Sequence, residues 1–250
     1  MATINRVIFN HFNSLANDYD KMSLKRAKYL NGIDDLILNR LQKTYKHDIR
    51  MLDVGCGTGR RTEKYKLKLD RSVIYGCDLS PRMIKIAQTK QIDKVILSDM
   101  SMIQLQNESF DVILCLFNTF GYLVSHQQRL QTLINFNKML KVNGYLFLDV
   151  MNRWHTGEGL NYKKSIFSLC KENIKSMLSS TITNGDKIFL LSFNGKKVDG
   201  WVHGFSNSEM RLLLKKSGFS VKEVLYVGYD TGQIKKYFWE GQLFYVCTKY

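Results

Sequence analysis

The sequence of 250 residues predicts an α/β fold, a doubly wound and mostly parallel sheet of seven strands. Three observations predict it. A short apolar strand through Met51-Leu52-Asp53-Val54 runs into Gly55-Cys56-Gly57-Thr58-Gly59, and a helical pattern leaves near Arg60. Apolar strand-like runs then alternate with helical periodicities from Ile49 to Val150, the order that builds parallel sheets. Residues 201–250 add a helix and two further strands that complete the sheet.

At this length one domain with additions is expected. Its parts are 1–45, 46–150, 151–200 and 201–250: helices, core, insert and sheet completion. Lys and Arg number 37 against 22 Asp and Glu, a net charge of +15. That charge suits an acidic partner such as nucleic acid. It equally suits a solvated lysine-rich surface, the favoured reading, because the basic clusters are short and no block of five or six like charges occurs. No apolar run reaches the roughly 18 residues of a membrane span, and the N-terminus lacks the apolar stretch of a secretory signal. Cys56, Cys77, Cys115, Cys170 and Cys247 are scattered with no C-x-x-C pair, which reads as reduced thiols in a cytoplasmic protein. No metal-ligand spacing is present, so no metal is expected.

Residues 1–45 read as helical, with Ile8-Phe9, Phe12, Leu15-Ala16 and Tyr19 at spacings of three and four. A second helix places Ile33, Ile37, Leu38 and Leu41 on one face. After the first strand, Ile49–Val54, three glycines at alternate positions let the backbone turn sharply. Main-chain N–H groups and a helix N-terminus are then free to face a ligand. A dinucleotide fingerprint counted from Gly55 would need glycine where Arg60 stands. The second strand, Val73–Cys77, leads to Asp78, nineteen residues after Gly59, where a carboxylate can accept from both hydroxyls of a ribose. Ser80 is an N-cap candidate, with Pro81 at the first position of the helix that continues through Met83–Thr89.

A third strand, Val95–Met100, carries Asp99 at its end. The fourth, Phe110–Leu116, is apolar enough to be buried on both faces and runs into Phe117-Asn118-Thr119-Phe120-Gly121-Tyr122. His126 begins the helix Gln127–Leu140, as a base or as a solvated helix-start residue. The turn Lys141-Val142-Asn143-Gly144 precedes the fifth strand, Tyr145–Val150, and Asn143 suits its left-handed position. Residues 160–199 suggest antiparallel hairpins around Thr181-Ile182-Thr183 and Lys187–Phe193, turning at Asn184-Gly185 and Asn194-Gly195. Trp154, His155 and Trp201 form an aromatic rim to that insert or pack ordinarily. Ser206 and Glu209 are expected to form a capping box, and Gly218 to end that helix. The last strands are expected near Val221–Val227 and Phe244–Thr248.

The pattern D-x-G-x-G-x-G at 53–59, followed by Asp78, resembles motif I of the class I S-adenosylmethionine-dependent methyltransferases. Phe12, Ala16, Tyr19 and Asp20 are similar to the F-x-x-x-A-x-x-Y-D start of many small-molecule methyltransferases. Phe117–Tyr122 is similar to the segment after strand 4 in enzymes that methylate small molecules, many of them amines. Ser206, Glu209, Leu213, Leu214, Gly218 and Phe219 fit the late S-x-x-E-x-x-x-L-L-x-x-x-G-F element. The resemblance covers nearly the whole chain and is densest from 51 to 149.

The resemblance implies a Rossmann-like methyltransferase fold with an N-terminal helical lid over 1–45 and a small antiparallel, substrate-shaping insert. It implies S-adenosylmethionine as cofactor. Asp53, Gly55, Cys56, Gly57 and Gly59 would surround it, with Asp78 and Leu79 at the ribose, Asp99 and Met100 at the adenine, and Phe117 beside it. Tyr19, Asn118 and His126 would stand near the transferring methyl group. Tyr19 has a packing alternative, and Asp99 has a turn-capping one. The acceptor implied is a small molecule or peptide, methylated at an amine nitrogen. RNA is the alternative acceptor because of the charge, although no N-P-P-F-like tetrad or RNA-binding module is present.

Overall fold

The structure, a computed structural model, describes residues 2–69, 71–155, 185–193 and 196–249. Helices α1 (Ala2–Leu15), α2 (Tyr19–Ser23) and α3 (Ala27–Thr44) come first, with a 3-10 turn at Leu24–Arg26. The alternating part follows as β1 (Arg50–Val54), α4 (Arg60–Lys68), β2 (Val73–Asp78), α5 (Pro81–Ala87) and β3 (Lys94–Leu97). It continues through β4 (Phe110–Cys115), a 3-10 turn at Thr119–Tyr122, α6 (His126–Met139) and β5 (Leu140–Val150). The rest is β6 (Asp186–Phe193), β7 (Lys196–His203), α7 (Asn207–Lys216), β8 (Phe219–Val227), β9 (Ile234–Lys235) and β10 (Gln242–Lys249).

The main sheet has the order β3-β2-β1-β4-β5-β10-β8-β9. Its first five strands are parallel, and β10 runs antiparallel to both β5 and β8. The expected seven strands are present. The eighth, β9, is a two-residue edge pairing Tyr226 with Lys235 and Val227 with Ile234. Sequence reading left it as loop because two residues carry no periodicity.

Every residue of β4 is buried, as its apolar run requires. One core layer packs Leu133, Phe136 and Met139 of α6 and Leu213 and Leu214 of α7 on one face of the sheet. The other sets Leu30, Ile33, Ile37 and Leu41 of α3 against Met51, Val112 and Phe244. The two faces thus take helices from different parts of the chain, which is double winding.

Local signals act where expected. Ser80 caps α5 by accepting from Met83 N at 3.3 Å, with Pro81 following. Ser125 and Gln128 form a reciprocal capping box on α6. Asn143 takes the left-handed position, φ 63°, and Gly218 ends α7 at φ 82°. The box expected at Ser206 is only half made. Ser206 Oγ accepts from Glu209 N at 3.2 Å, but the Glu209 carboxylate turns away to His203 and Arg153. Those two groups are buried and need a counter-charge more than the helix start does.

β6 and β7 pair antiparallel as a separate sheet, with Phe193 opposite Lys196. Asn194-Gly195, Thr181-Ile182-Thr183, Asn184 and Cys170 lie outside the described residues. Among those described, no helix is long and apolar enough to cross a membrane.

Candidate functional site: a cavity at the carboxyl edge of the sheet

The ends of β1 and β2 are stitched together. Gly55 N and Cys56 N both donate to Cys77 O, at 2.8 and 2.9 Å. Gly57 N donates to one Asp78 carboxylate oxygen at 3.0 Å and Ser80 N to the other at 2.8 Å. Burial pushes the Asp78 carboxyl above its usual value, and the main-chain N–H groups of Ser80, Gly57 and Leu79 oppose that shift.

All three motif glycines are left-handed, but they do different work. A Cβ on Gly59 would lie 2.7 Å from Ile92 Cδ1, so this glycine lets α4 approach α5. A Cβ on Gly57 would meet nothing nearer than Tyr19 Cε1 at 3.5 Å, so this glycine faces open space.

That space is a cavity of about 570 Å³. Of the residues singled out in the sequence, Tyr19, Gly55, Gly57, Asp78, Leu79, Asp99, Met100, Phe117 and Asn118 line it. Tyr19 is held above its usual pKa by burial, and then by Tyr122 and Asp78. Asp99 lies beyond the end of β3, which stops at Leu97 rather than running to Met100. One Asp99 oxygen accepts from both Ser101 N and Ser101 Oγ at 2.8 Å, so the residue does cap its turn while also facing the cavity.

Four expected residues do not line this cavity. Gly59 is a packing glycine. Asp53 and Cys56 sit behind the glycine turn, on a neighbouring cavity of about 40 Å³ that they share with Asp20, Arg60 and Arg61. Asp53 accepts from Thr62 Oγ1 at 2.6 Å, and burial pushes its pKa up to about 6. His126 is exposed at the first position of α6, because the capping box turns the helix start outward. Likewise Trp154, His155 and Trp201 are not among the cavity's lining; Val202, beside the buried Trp201, lines it instead.

The segment after β4 is built on strain. Phe117 and Asn118 are consecutive non-glycine residues at φ 58° and 59°. Asp149 holds them, accepting from Asn118 N at 2.9 Å on one oxygen and from Tyr29 OH at 2.6 Å on the other. Asn118 Oδ1 accepts from Met151 N at 2.7 Å, and Gly121 leaves room for that side chain. Burial raises the pKa of both Asp149 and Tyr29; the hydrogen bond from the Tyr29 hydroxyl opposes the shift on Asp149. Sequence reading missed this pair; the signal was one acid inside the apolar run Tyr145-Leu146-Phe147-Leu148-Asp149-Val150.

The roof comes from α1 and α2. Phe12 meets Tyr122 edge-to-face at 4.9 Å, and Asn13 Oδ1 accepts from Ser80 Oγ at 3.1 Å. Asp20 accepts from Thr58 Oγ1 at 2.6 Å, and Arg26 pairs with Asp230. Among the described residues no group of three or more His, Cys, Asp or Glu is placed to hold a metal.

Residues 52–148 match the model of a methyltransferase domain. The chain is 28% identical over 214 residues to an uncharacterized protein of Methanocaldococcus jannaschii, covering 86% of this chain and 76% of that one. It is 33% identical over 150 residues to a malonyl-[acyl-carrier protein] O-methyltransferase of Bacillus cereus, covering 58% of this chain and 53% of that one. In fold it is similar to an amino pentose methyltransferase from Micromonospora echinaspora solved with S-adenosylmethionine bound. The TM-score is 0.61 at 17% identity, over 93% of this chain and 96% of that one.

Proposed function

We propose that the chain is a class I S-adenosylmethionine-dependent methyltransferase that methylates a small molecule or peptide at an amine nitrogen. S-adenosylmethionine is its cofactor. The residues of the cavity fit that group. Gly57 leaves the space that a Cβ would take, Asp78 offers a carboxylate beside it, and one Asp99 oxygen is used on Ser101 while the other is not. In this reading Asp78 accepts from the ribose hydroxyls and Asp99 from the adenine amino group. Met100 and Leu79 pack on the planar and sugar parts.

The observation that carries the reading is the shared cavity. The acid-bearing ends of β2 and β3 and the aromatic surfaces of Phe12, Tyr19, Tyr122 and Tyr229 line one continuous space. Bound there, the cofactor supplies a methyl carbon activated by a sulfonium. The protein's part is alignment and exclusion of water. Asn118, fixed through Asp149 and Met151, would orient the acceptor, and Tyr19 would close the methyl side. The names of similar proteins include both O-methyltransferases and N-methyltransferases. The amine is favoured because its free lone pair attacks before any proton is lost, so a base is needed only for the proton that leaves afterwards, whereas a hydroxyl needs one first.

The test is mass spectrometry of a panel of amines, alcohols and carboxylic acids incubated with protein and cofactor. A gain of one methyl on amines is expected; transfer only to carboxylates or hydroxyls would contradict it. The net charge of +15 supports RNA as a second reading. It predicts RNA retardation that falls steeply with salt, and no retardation at low salt would dismiss it.

A further inference from the structure

Among the cavity-lining side chains, one has no task in the account so far. His11 stands on α1, is 6% exposed, and lines the cavity with Phe12 and Leu15. Its ring meets Phe12 at 5.1 Å, edge-on, and neither ring nitrogen has a hydrogen-bond partner among the described residues. Its ring nitrogens are also absent from the buried polar atoms closed off from any space. Ring nitrogens with no protein partner and with surface open to the cavity are available to bond a ligand or water there. The neighbouring Phe12 packs on Tyr122, which ends the 3-10 turn that begins one residue after Asn118. His11 therefore lines the same cavity as Asn118, Thr119 and Tyr122 of the strained turn.

We propose that His11, and not His126, takes the proton from the acceptor during methyl transfer. The inference rests on the amine reading above. The amine lone pair forms the new bond to the methyl carbon while the carbon–sulfur bond breaks, its electron pair staying on sulfur. The proton leaving nitrogen passes to the free nitrogen of the His11 imidazole, and solvent removes it after product release. Burial lowers the pKa of His11, which keeps the ring neutral and able to accept.

Asp78, Asp99, Asp149, Lys25 and Arg26 line the same cavity, with the titratable Tyr19, Tyr29, Tyr122 and Tyr229. On the elements packed against α1, α5 carries Arg82 and Lys85, and β7 carries Lys196, Lys197, Asp199 and His203, the last engaged with Asp186 and Glu209.

The experiment compares wild type with His11→Asn and His11→Gln, using the best amine of the panel. Titration calorimetry with S-adenosylhomocysteine and thermal melting come first, to show that each variant is folded. The expected result is kcat lower by about 100-fold, with cofactor affinity within about twofold of wild type. The acid limb of the wild-type pH profile should lie below the ordinary histidine value and disappear in both variants. Added imidazole should restore part of the rate to His11→Ala. In parallel, the His11 ring proton, assigned by NMR from its loss in His11→Asn, should titrate low and shift when acceptor binds. Wild-type rate and pH profile in the folded variants would overturn the proposal. So would a ring that titrates like a free histidine and ignores the acceptor, even if wild type transfers methyl to none of the amines. That last outcome in the wild-type assay is what counts against the amine reading itself.

Discussion

Asp78 carries most of the weight among single residues. Its two oxygens already accept from Gly57 N and Ser80 N, which fixes the carboxylate at the place where the proposed ribose would lie. Losing charge-assisted hydrogen bonds of this kind costs about 1.5–3 kcal/mol, so Asp78→Ala should weaken cofactor binding tenfold to a hundredfold. Asp53 is a different acid. Burial lifts its folded pKa to about 6, above the ordinary value of 3.8. The folded state therefore holds a proton that the unfolded state has lost, and Asp53's contribution falls as pH rises from about 4 to about 6. Asp53→Asn should gain stability relative to wild type across that window, by at most about 3 kcal/mol, read from urea melts at its two ends. A constant difference across the window would place the Asp53 proton elsewhere. His126, exposed on α6, should tolerate replacement by Asn with no change in kcat.

At the scale of elements, the glycine turn separates packing from binding. Gly59→Ala puts a methyl into Ile92 and Ala87 at a left-handed position, so it should lower stability by about 2 kcal/mol or more. Gly57→Ala has room for its methyl, but only inside the cavity. It should therefore cost about 1–2 kcal/mol of stability from its φ alone, and lower cofactor affinity more than Gly59→Ala does. Equal effects on affinity would mean that the turn acts as one unit. The turn after β4 makes a parallel case. Tyr29→Phe removes a buried donor to Asp149 and should loosen Asn118, lowering kcat more than cofactor affinity. Much of this was legible beforehand. Caps at Ser80 and Ser125 and the left-handed Asn143 follow from local chemistry, which sequence carries. Glu209 was misread because its partners, Arg153 and His203, are brought beside it only by the fold. For the same reason the pairing of Tyr29 with Asp149, 120 positions apart, left no local trace.

For the whole molecule, the mostly parallel sheet with helices on both faces follows from the alternation of apolar runs with helical patterns; the strand order comes from the structure. The cavity follows from the glycine turn and the acids after β2 and β3. The rest of the cavity wall was less legible. It is assembled from α1, the strained turn, Val202 and Tyr229, whose residues read individually as ordinary packing. His126 is picked out in sequence because it lies near the family-like segment, whereas His11 has no such signal: its nearness to the cavity is set by how α1 crosses it. The charge of +15 is spread over the surface and gives no site by itself. The central claim is that the space before Gly57 and Asp78 holds an adenosyl cofactor. Its most direct test is titration calorimetry of S-adenosylhomocysteine into wild type and Asp78→Ala at matched pH and salt. Saturable one-to-one binding by wild type and a loss of at least about tenfold in the variant are predicted. No heat with wild type, or equal affinity in the two proteins, would contradict it.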